Sequence, residues 1–439
     1  MKIKKIATIL VICLLIAAIP YVYCDGATED QILKETLPNG LRILIKEKSD
    51  TNHVILLAMV GTGSANENEE NNGISHFIEH MITVRGSEEL GEYGIFKEVE
   101  RVGGQANAFT SFEMTSYFTI LPKENFDLGL TLLKKALFNP PFKAEDVEEE
   151  RGIILEELEF YREDIPAGEL QTMLLENAFP NHPYGRHIVG TRETVNAINR
   201  EMMIDYYNTY YAPNNVVFVV VGNVDAEKVL SKVRESFKDW EQKDIPEREL
   251  AMIKIEGEKE VTKTREGIEE AYLGIAYIVP GCDQPDHFPL ELLSLILGSG
   301  RSSRLYQALV AEGLASSVGA GLVGTKGQQL LTIIVTCDQE DIPEVEKIIL
   351  KEINTLKKGI TDGELKKAKN MYKVSSIMTT QNLMYDATYI AMFELLYGME
   401  PKEYLAKLNI LTTEDIQKAA EENFKKEYVV VHLIPEADE

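Results

Sequence analysis

Cysteine is scarce in this chain, with four in 439 residues. Two of them, Cys13 and Cys24, lie in or beside an apolar N-terminal stretch, so Cys282 and Cys337 alone remain for the folded part. That excludes a disulfide framework, although a single bridge between Cys282 and Cys337 stays open, as do two buried thiols. Low-complexity tracts are missing, and 44% hydrophobic with 26% charged residues is a globular composition, which excludes disorder over most of the length. Basic residues are the minority, 45 against 71 acidic ones, for a net charge of −26. Phosphate would be repelled by such a surface, so no nucleic acid partner is expected; a neutral or basic peptide is compatible with it.

The N-terminus has the layout of an export signal. Lys2, Lys4 and Lys5 precede residues 6–19, which are apolar except for Thr8, and Pro20 follows. Extended to Cys24, the stretch approaches the ~20 residues of a membrane span, so residues 1–24 are a signal peptide or an N-terminal membrane anchor. Either way the remainder is expected in the periplasm or another extracytoplasmic space, possible membrane tether included.

The rest divides in two. Asn39-Gly40 supplies a turn before a strand at residues 41–45, with another at 53–60. Helical spacing follows near 73–82, 93–102, 125–138 and 144–162, with strands at 106–121 and 216–221. Residues 241–265 are charged and poor in large apolar side chains, which reads as a linker between domains 30–240 and 266–439. The second part repeats the style, with strands at 271–279 and 329–337, helices at 289–297 and 302–312, and further helices after Glu340 and Thr361. Each part ends in a valine-rich strand, which suggests two copies of one fold. The fold class expected is α+β, two similar α/β domains each with a mostly antiparallel sheet covered by helices.

The most informative stretch is His76-Phe77-Ile78-Glu79-His80. Two histidines four apart stack on one helix face and can present ring nitrogens to one ion. Glu79 is nearly on that face, placed to reach a water rather than the ion. This H-x-x-E-H order is the inverse of the commoner zinc-peptidase motif. A catalytic zinc needs a third protein ligand, and the acidic segment 148–159 offers carboxylates. Glu150 and Glu157, two helical turns apart, share a stripe with Ile153 and Ile154 and should point inward; Glu149, Glu156 and Glu159 should be solvated.

With these residues the chain resembles the pitrilysin and insulin-degrading class of zinc peptidases, in its shorter branch of mitochondrial and bacterial processing peptidases. Leu37-Pro38-Asn39-Gly40-Leu41 is similar to the family's opening strand, residues 150–157 to its second ligand helix, and His182-Pro183-Tyr184-Gly185-Arg186 with Gly190-Thr191 to its middle motif. The resemblance implies one Zn2+ per chain on His76, His80 and Glu157, Glu79 as general base, and Glu150 as a supporting or water-orienting acid. The activity implied is metal-assisted peptide hydrolysis in a two-domain clamshell half. It also implies that the strand carrying Asn107, Ala108 and Phe109 pairs with the substrate backbone. Single-chain members carry an arginine and a tyrosine that hold the oxyanion, whereas Val310 and Ser316 stand at those places here. A second related subunit with the Arg/Tyr pair is therefore expected, or a homodimer. The other reading is a structural or peptide-binding subunit. His182, His187, His287 and His432 are expected to be structural.

Overall fold

The computed structural model describes residues 31–436 except 139 and 164. The N-terminal stretch read as signal or anchor lies outside the described residues. In chain order the first half contains β1 (Ile32–Thr36), β2 (Arg42–Glu47), β3 (His53–Val60), α1 (Ile74–His80), α2 (Gly94–Arg101), β4 (Gln105–Thr110) and β5 (Thr115–Pro122). It continues with α3 (Phe126–Leu137), α4 (Ala144–Glu163), α5 (Pro166–Ala178), α6 (Arg192–Ala197), α7 (Arg200–Tyr210), β6 (Val216–Gly222) and α8 (Ala226–Phe237). The second half contains β7 (Glu258–Arg265), β8 (Ala271–Pro280), α9 (His287–Gly298), β9 (Ser317–Leu322), β10 (Gln328–Cys337), α10 (Ile342–Leu356) and α11 (Asp362–Thr379). α12 (Leu383–Met392), α13 (Pro401–Ile410), α14 (Thr413–Asn423) and β11 (Tyr428–Pro435) complete it.

Strand order is β1-β2-β6-β3-β5-β4 in one sheet and β7-β11-β8-β10-β9 in the other. Leaving out β1, the two orders correspond strand for strand. So do the directions: β2 and β6 are parallel, as are β7 and β11, and every other neighbouring pair is antiparallel. The repeat suggested by the two valine-rich strands is thus visible in the topology. Both strands are largely apolar, β11 interrupted by His432, because both faces are covered. In β6, Val216, Phe218 and Val220 enter one core while Val217, Val219 and Val221 enter another.

The two halves exchange a helix. α5, from the first half, lies on β8 and β11, where Leu170 and Leu174 share a core with Val429, Val431 and Leu433. α12, from the second half, lies on β3 and β6, where Ala387, Ile390 and Ala391 pack with Val217, Val219 and Leu57. Gly274 of β8 makes room for this, since a Cβ there would come 2.8 Å from Leu174 Cδ1. Each sheet is covered by helices, as expected, and one covering helix of each comes from the other half.

Other boundaries shift for physical reasons. Residues 258–265 of the expected linker form β7, so the connection without regular structure is 241–257. β7 is an edge strand whose side chains are mostly exposed, which is why its composition is that of a linker. The strand read at 106–121 is the hairpin β4–β5, and the helix read at 302–312 is shorter, helical over 304–310 with a π stretch at Tyr306–Val310. Cys282 and Cys337 are free and buried in different cores, so they form no bridge.

Candidate metal centre

α1 is short, and its start is fixed by a buried carboxylate. Glu67 accepts hydrogen bonds from the backbone N–H of Gly73 at 2.7 Å and of Ser75 at 2.9 Å, and from Asn72 Nδ2 at 2.9 Å. It thereby satisfies donors that a helix N-terminus leaves open. Gly73 has φ +98°, and a Cβ on it would meet Val189 O at 2.5 Å, so only glycine lets this turn cross the 189–190 backbone. Ile74, Phe77 and Ile78 enter the core, which turns His76, Glu79 and His80 the other way, toward α4 and β4. The helix then widens into a π turn, Met81–Arg85, that brings Arg85 back under α4.

His76, His80 and Glu157 converge: one potential ligand atom from each lies within 4.8 Å of the others. Glu157 Oε1 is 3.7 Å from His76 Nε2, and Glu157 Oε2 is 3.2 Å from His80 Nε2. Two ligands each ~2.1 Å from a tetrahedral zinc are separated by about 3.4 Å, so the donor set suits that ion in type and spacing. His76 Nδ1 is buried without a hydrogen-bond partner, leaving Nε2 as the nitrogen that faces the other donors.

Glu150, fully buried, sits behind His80, its Oε2 3.4 Å from His80 Nδ1. Its other oxygen accepts from Arg85 Nε at 3.2 Å and faces Nη2 at 3.0 Å. Arg85 also lies near Glu92, Asp146 and Glu149. On the opposite side, Thr110 Oγ1 donates to Glu79 Oε2 at 2.7 Å, which ties Glu79 to the end of β4. Burial pushes the Glu79 carboxyl up to about 7 against the pull of His80 and Thr110. Burial, with neighbouring His80, lowers His76 to about 4. For His80 burial is outweighed by Glu150, Glu157 and Glu79, which raise it to about 10. Three carboxylates thus press on two imidazoles, an excess of negative charge that a divalent cation would balance.

Asn107, Ala108 and Phe109 lie on β4, which pairs with β5 on one side and, among the described residues, has no strand on the other. Glu156 and Glu159 are exposed; Glu149, also exposed, reaches Arg85. Arg85 and Thr110 are the residues that sequence reasoning missed. Thr110 lay within a segment read for its strand; Arg85 had no signal beyond standing five residues after His80. Val310 packs against the second core, and Ser316 bonds through its N–H and Oγ to Thr336 O. Of the remaining histidines, His182 accepts from Tyr184 N–H, His287 lies between Gln329 and Tyr404, and His432 meets Glu346.

Residues 42–192 match the family described as insulinase (peptidase family M16), and residues 197–372 match its peptidase M16 inactive domain. The chain belongs to peptidase family M16. A Bacillus subtilis relative named uncharacterized zinc protease YmxG is 29% identical over 92% of this chain and 98% of its own length. Zinc protease PqqE of Helicobacter pylori is 28% identical over 89% of each. A solved protease structure from Helicobacter pylori superposes with a TM-score of 0.85 at 26% identity, covering 92% of this chain and all of that one. A chain of complex III2 from Candida albicans shares the fold at TM-score 0.79 and 17% identity. The M16 match to the inactive domain coincides with the half that lacks the histidine motif, and the first match spans it.

Proposed function

We propose that this chain is a zinc-dependent endopeptidase that hydrolyses peptides or unfolded polypeptides, outside the cytoplasm, together with a second related subunit. The observation that carries the reading is the convergence of His76, His80 and Glu157 beside a Glu79 that is tethered to an open sheet edge. The names of the M16 relatives as zinc proteases support it. Zinc held by those three residues would supply a Lewis acid that polarises a carbonyl and acidifies water.

The chain's own residues do the rest. β4 is the edge strand of its sheet, where the Ala108 N–H is held by Asn107 Oδ1 at 2.9 Å, so an extended peptide that displaces that side chain can add along Asn107, Ala108 and Phe109 with little demand on its own side chains. Thr110 holds Glu79 at the end of that strand. Glu79 accepts the proton of the attacking water and returns it to the leaving amine. Glu150 orients His80 through Nδ1, and Arg85 holds Glu150 in place. No arginine or tyrosine stands at 310 or 316, and Ser316 is engaged with Thr336 O, so a partner is assigned the donors for the oxyanion. That same observation favours the second reading, a peptide-binding or structural subunit without turnover.

Glu79→Gln separates the two. It should keep one zinc per chain and lose chelator-sensitive peptide cleavage, assayed alone and with a candidate partner. A variant that cleaves at the full rate removes Glu79 from the mechanism; absence of cleavage by wild type under every pairing supports the second reading.

A further inference from the structure

We propose that Arg248, in the connection between the two halves, is a positioning residue for peptide binding. Through Glu113 it holds the tip of the β4–β5 hairpin, and so keeps β4 ordered before a peptide arrives. The inference rests on the peptidase reading for the strand that accepts the peptide, and deepens it.

The turn that joins β4 to β5, residues 111–114, is closed by the Ser111 N–H on Met114 O at 2.8 Å. Glu113 projects from this turn into the protein and is buried. Three segments distant in sequence meet its carboxylate. Tyr184 Oη donates to Oε1 at 2.5 Å, the Lys326 N–H donates to the same oxygen at 3.1 Å, and Arg248 Nη2 donates to Oε2 at 2.7 Å. Tyr184, fully buried, belongs to the first half, and Lys326 to the loop between β9 and β10 in the second. Through Nη1, Arg248 also donates to Asn66 Oδ1 at 3.3 Å. Asn66 ends the turn 64–66, whose Ser64 and Ala65 N–H groups bond to Ser111 O at 3.0 Å and Phe112 O at 2.9 Å. One guanidinium therefore grips both the hairpin tip and the turn that backs it.

Arg248 is placed by its flanks. Lys243 exchanges two hydrogen bonds with Asn214 of the first half, its N–H to Oδ1 at 3.1 Å and its carbonyl from Nδ2 at 2.7 Å. Ile253 exchanges two with the Gln328 side chain at the start of β10, at 2.7 and 2.8 Å. Leu250, Ile253 and Ile255 pack against the core that α5 shares with β11. Residues 241–257 thus lack regular structure but are pinned to each half, with Arg248 between the pins.

Among the described residues β4 has one strand neighbour, so its order depends on how its ends are held. Without Arg248, Glu113 is a buried carboxylate that has lost its charged partner, and it turns toward solvent to escape that cost. The tip follows, and β4 samples frayed states. A peptide binds only the ordered fraction, so its apparent affinity falls by that fraction. Once seated, the peptide pairs with β4 and restores its order. Glu79 is carried by α1, whose start Glu67 fixes independently, so turnover of bound peptide is kept.

The test compares Arg248→Met and Arg248→Lys with the wild-type full chain, each paired with whichever subunit supports cleavage. Amide hydrogen exchange of the zinc-loaded chain without substrate should be several-fold faster over residues 105–112 in Arg248→Met and unchanged over 74–80. On an unstructured fluorogenic peptide, KM should rise several-fold with kcat close to wild type. Arg248→Lys, which keeps the charge but not the fork, should recover part of both effects. Wild-type exchange over 105–112 in Arg248→Met overturns the proposal, and so does a fall in kcat at unchanged KM, the result of a smaller folded fraction. Exchange needs no hydrolysis: if no pairing cleaves peptide, the peptidase reading fails while the hold of Arg248 on β4 is still decided.

Discussion

Replacing Arg85 by methionine should weaken zinc binding although Arg85 bonds to none of the donor atoms of His76, His80 and Glu157. Its Nε donates to one oxygen of Glu150 at 3.2 Å and its Nη2 lies 3.0 Å from the same oxygen as an ion-pair contact, while the other oxygen faces His80 Nδ1 at 3.4 Å. Glu150 is fully buried, so losing Arg85 strands a carboxylate with one remaining polar partner. Breaking a buried pair from one side typically costs about 3–5 kcal/mol. Glu150 escapes that cost by taking a proton or turning away, and either releases the grip on His80. Partners behind a metal-bound histidine are typically worth about 10–100-fold in metal affinity, or about 1.4–2.8 kcal/mol, which the pair energy can cover. Competition with a chromophoric chelator near neutral pH measures the loss, with circular dichroism confirming the fold. Arg85→Lys, which keeps the charge but not the fork, should fall between. Arg85→Met combined with Glu150→Gln should be no weaker than Glu150→Gln alone. Wild-type zinc affinity in Arg85→Met, or full additivity in the pair, would refute the reasoning.

The other predictions concern the ligands, the exchanged helix and acid stability. His76→Ala and Glu157→Ala should each lose zinc on dialysis, seen by elemental analysis, while exposed Glu156→Ala should keep it. Leu174→Ala on α5 empties a site against Gly274 and should cost ~2–5 kcal/mol in chemical denaturation. Because α5 and α12 each cover the other half's sheet, the two halves should lose structure in one transition; two separate transitions would count against the interlock. For Glu364, burial raises the carboxyl but Arg304 and the Thr361 cap outweigh it, lowering it from 4.5 to about 2. Its folded-state value is depressed, so its contribution is present above pH 4.5 and fades as pH falls toward 2. Glu364→Gln should flatten the acid limb of a pH–melting profile in that window.

What the sequence disclosed was what local spacing encodes. Two histidines four apart with Glu79 between them can only face one way once Ile74, Phe77 and Ile78 claim the core. Glu150 and Glu157 on one stripe likewise point inward from α4, one behind His80 and one beside both imidazoles. The repeat was legible in the valine runs because a strand covered on both faces must be apolar throughout. Long-range placement was not legible. α5 and α12 carry apolar faces that fit either sheet, and nothing local says which. β7 escaped notice because an edge strand tolerates the charged composition of a linker. Arg85 was invisible because its value lies in Glu150, 65 residues away.

The position of a bound zinc ion tests the ligand assignment most directly. Diffraction at the zinc absorption edge from crystals of the zinc-loaded chain should show one anomalous peak, roughly 2.0–2.2 Å from His76 Nε2, His80 Nε2 and a Glu157 carboxylate oxygen. A saturating zinc concentration that leaves this position without a peak, or places the ion among other residues, would contradict it.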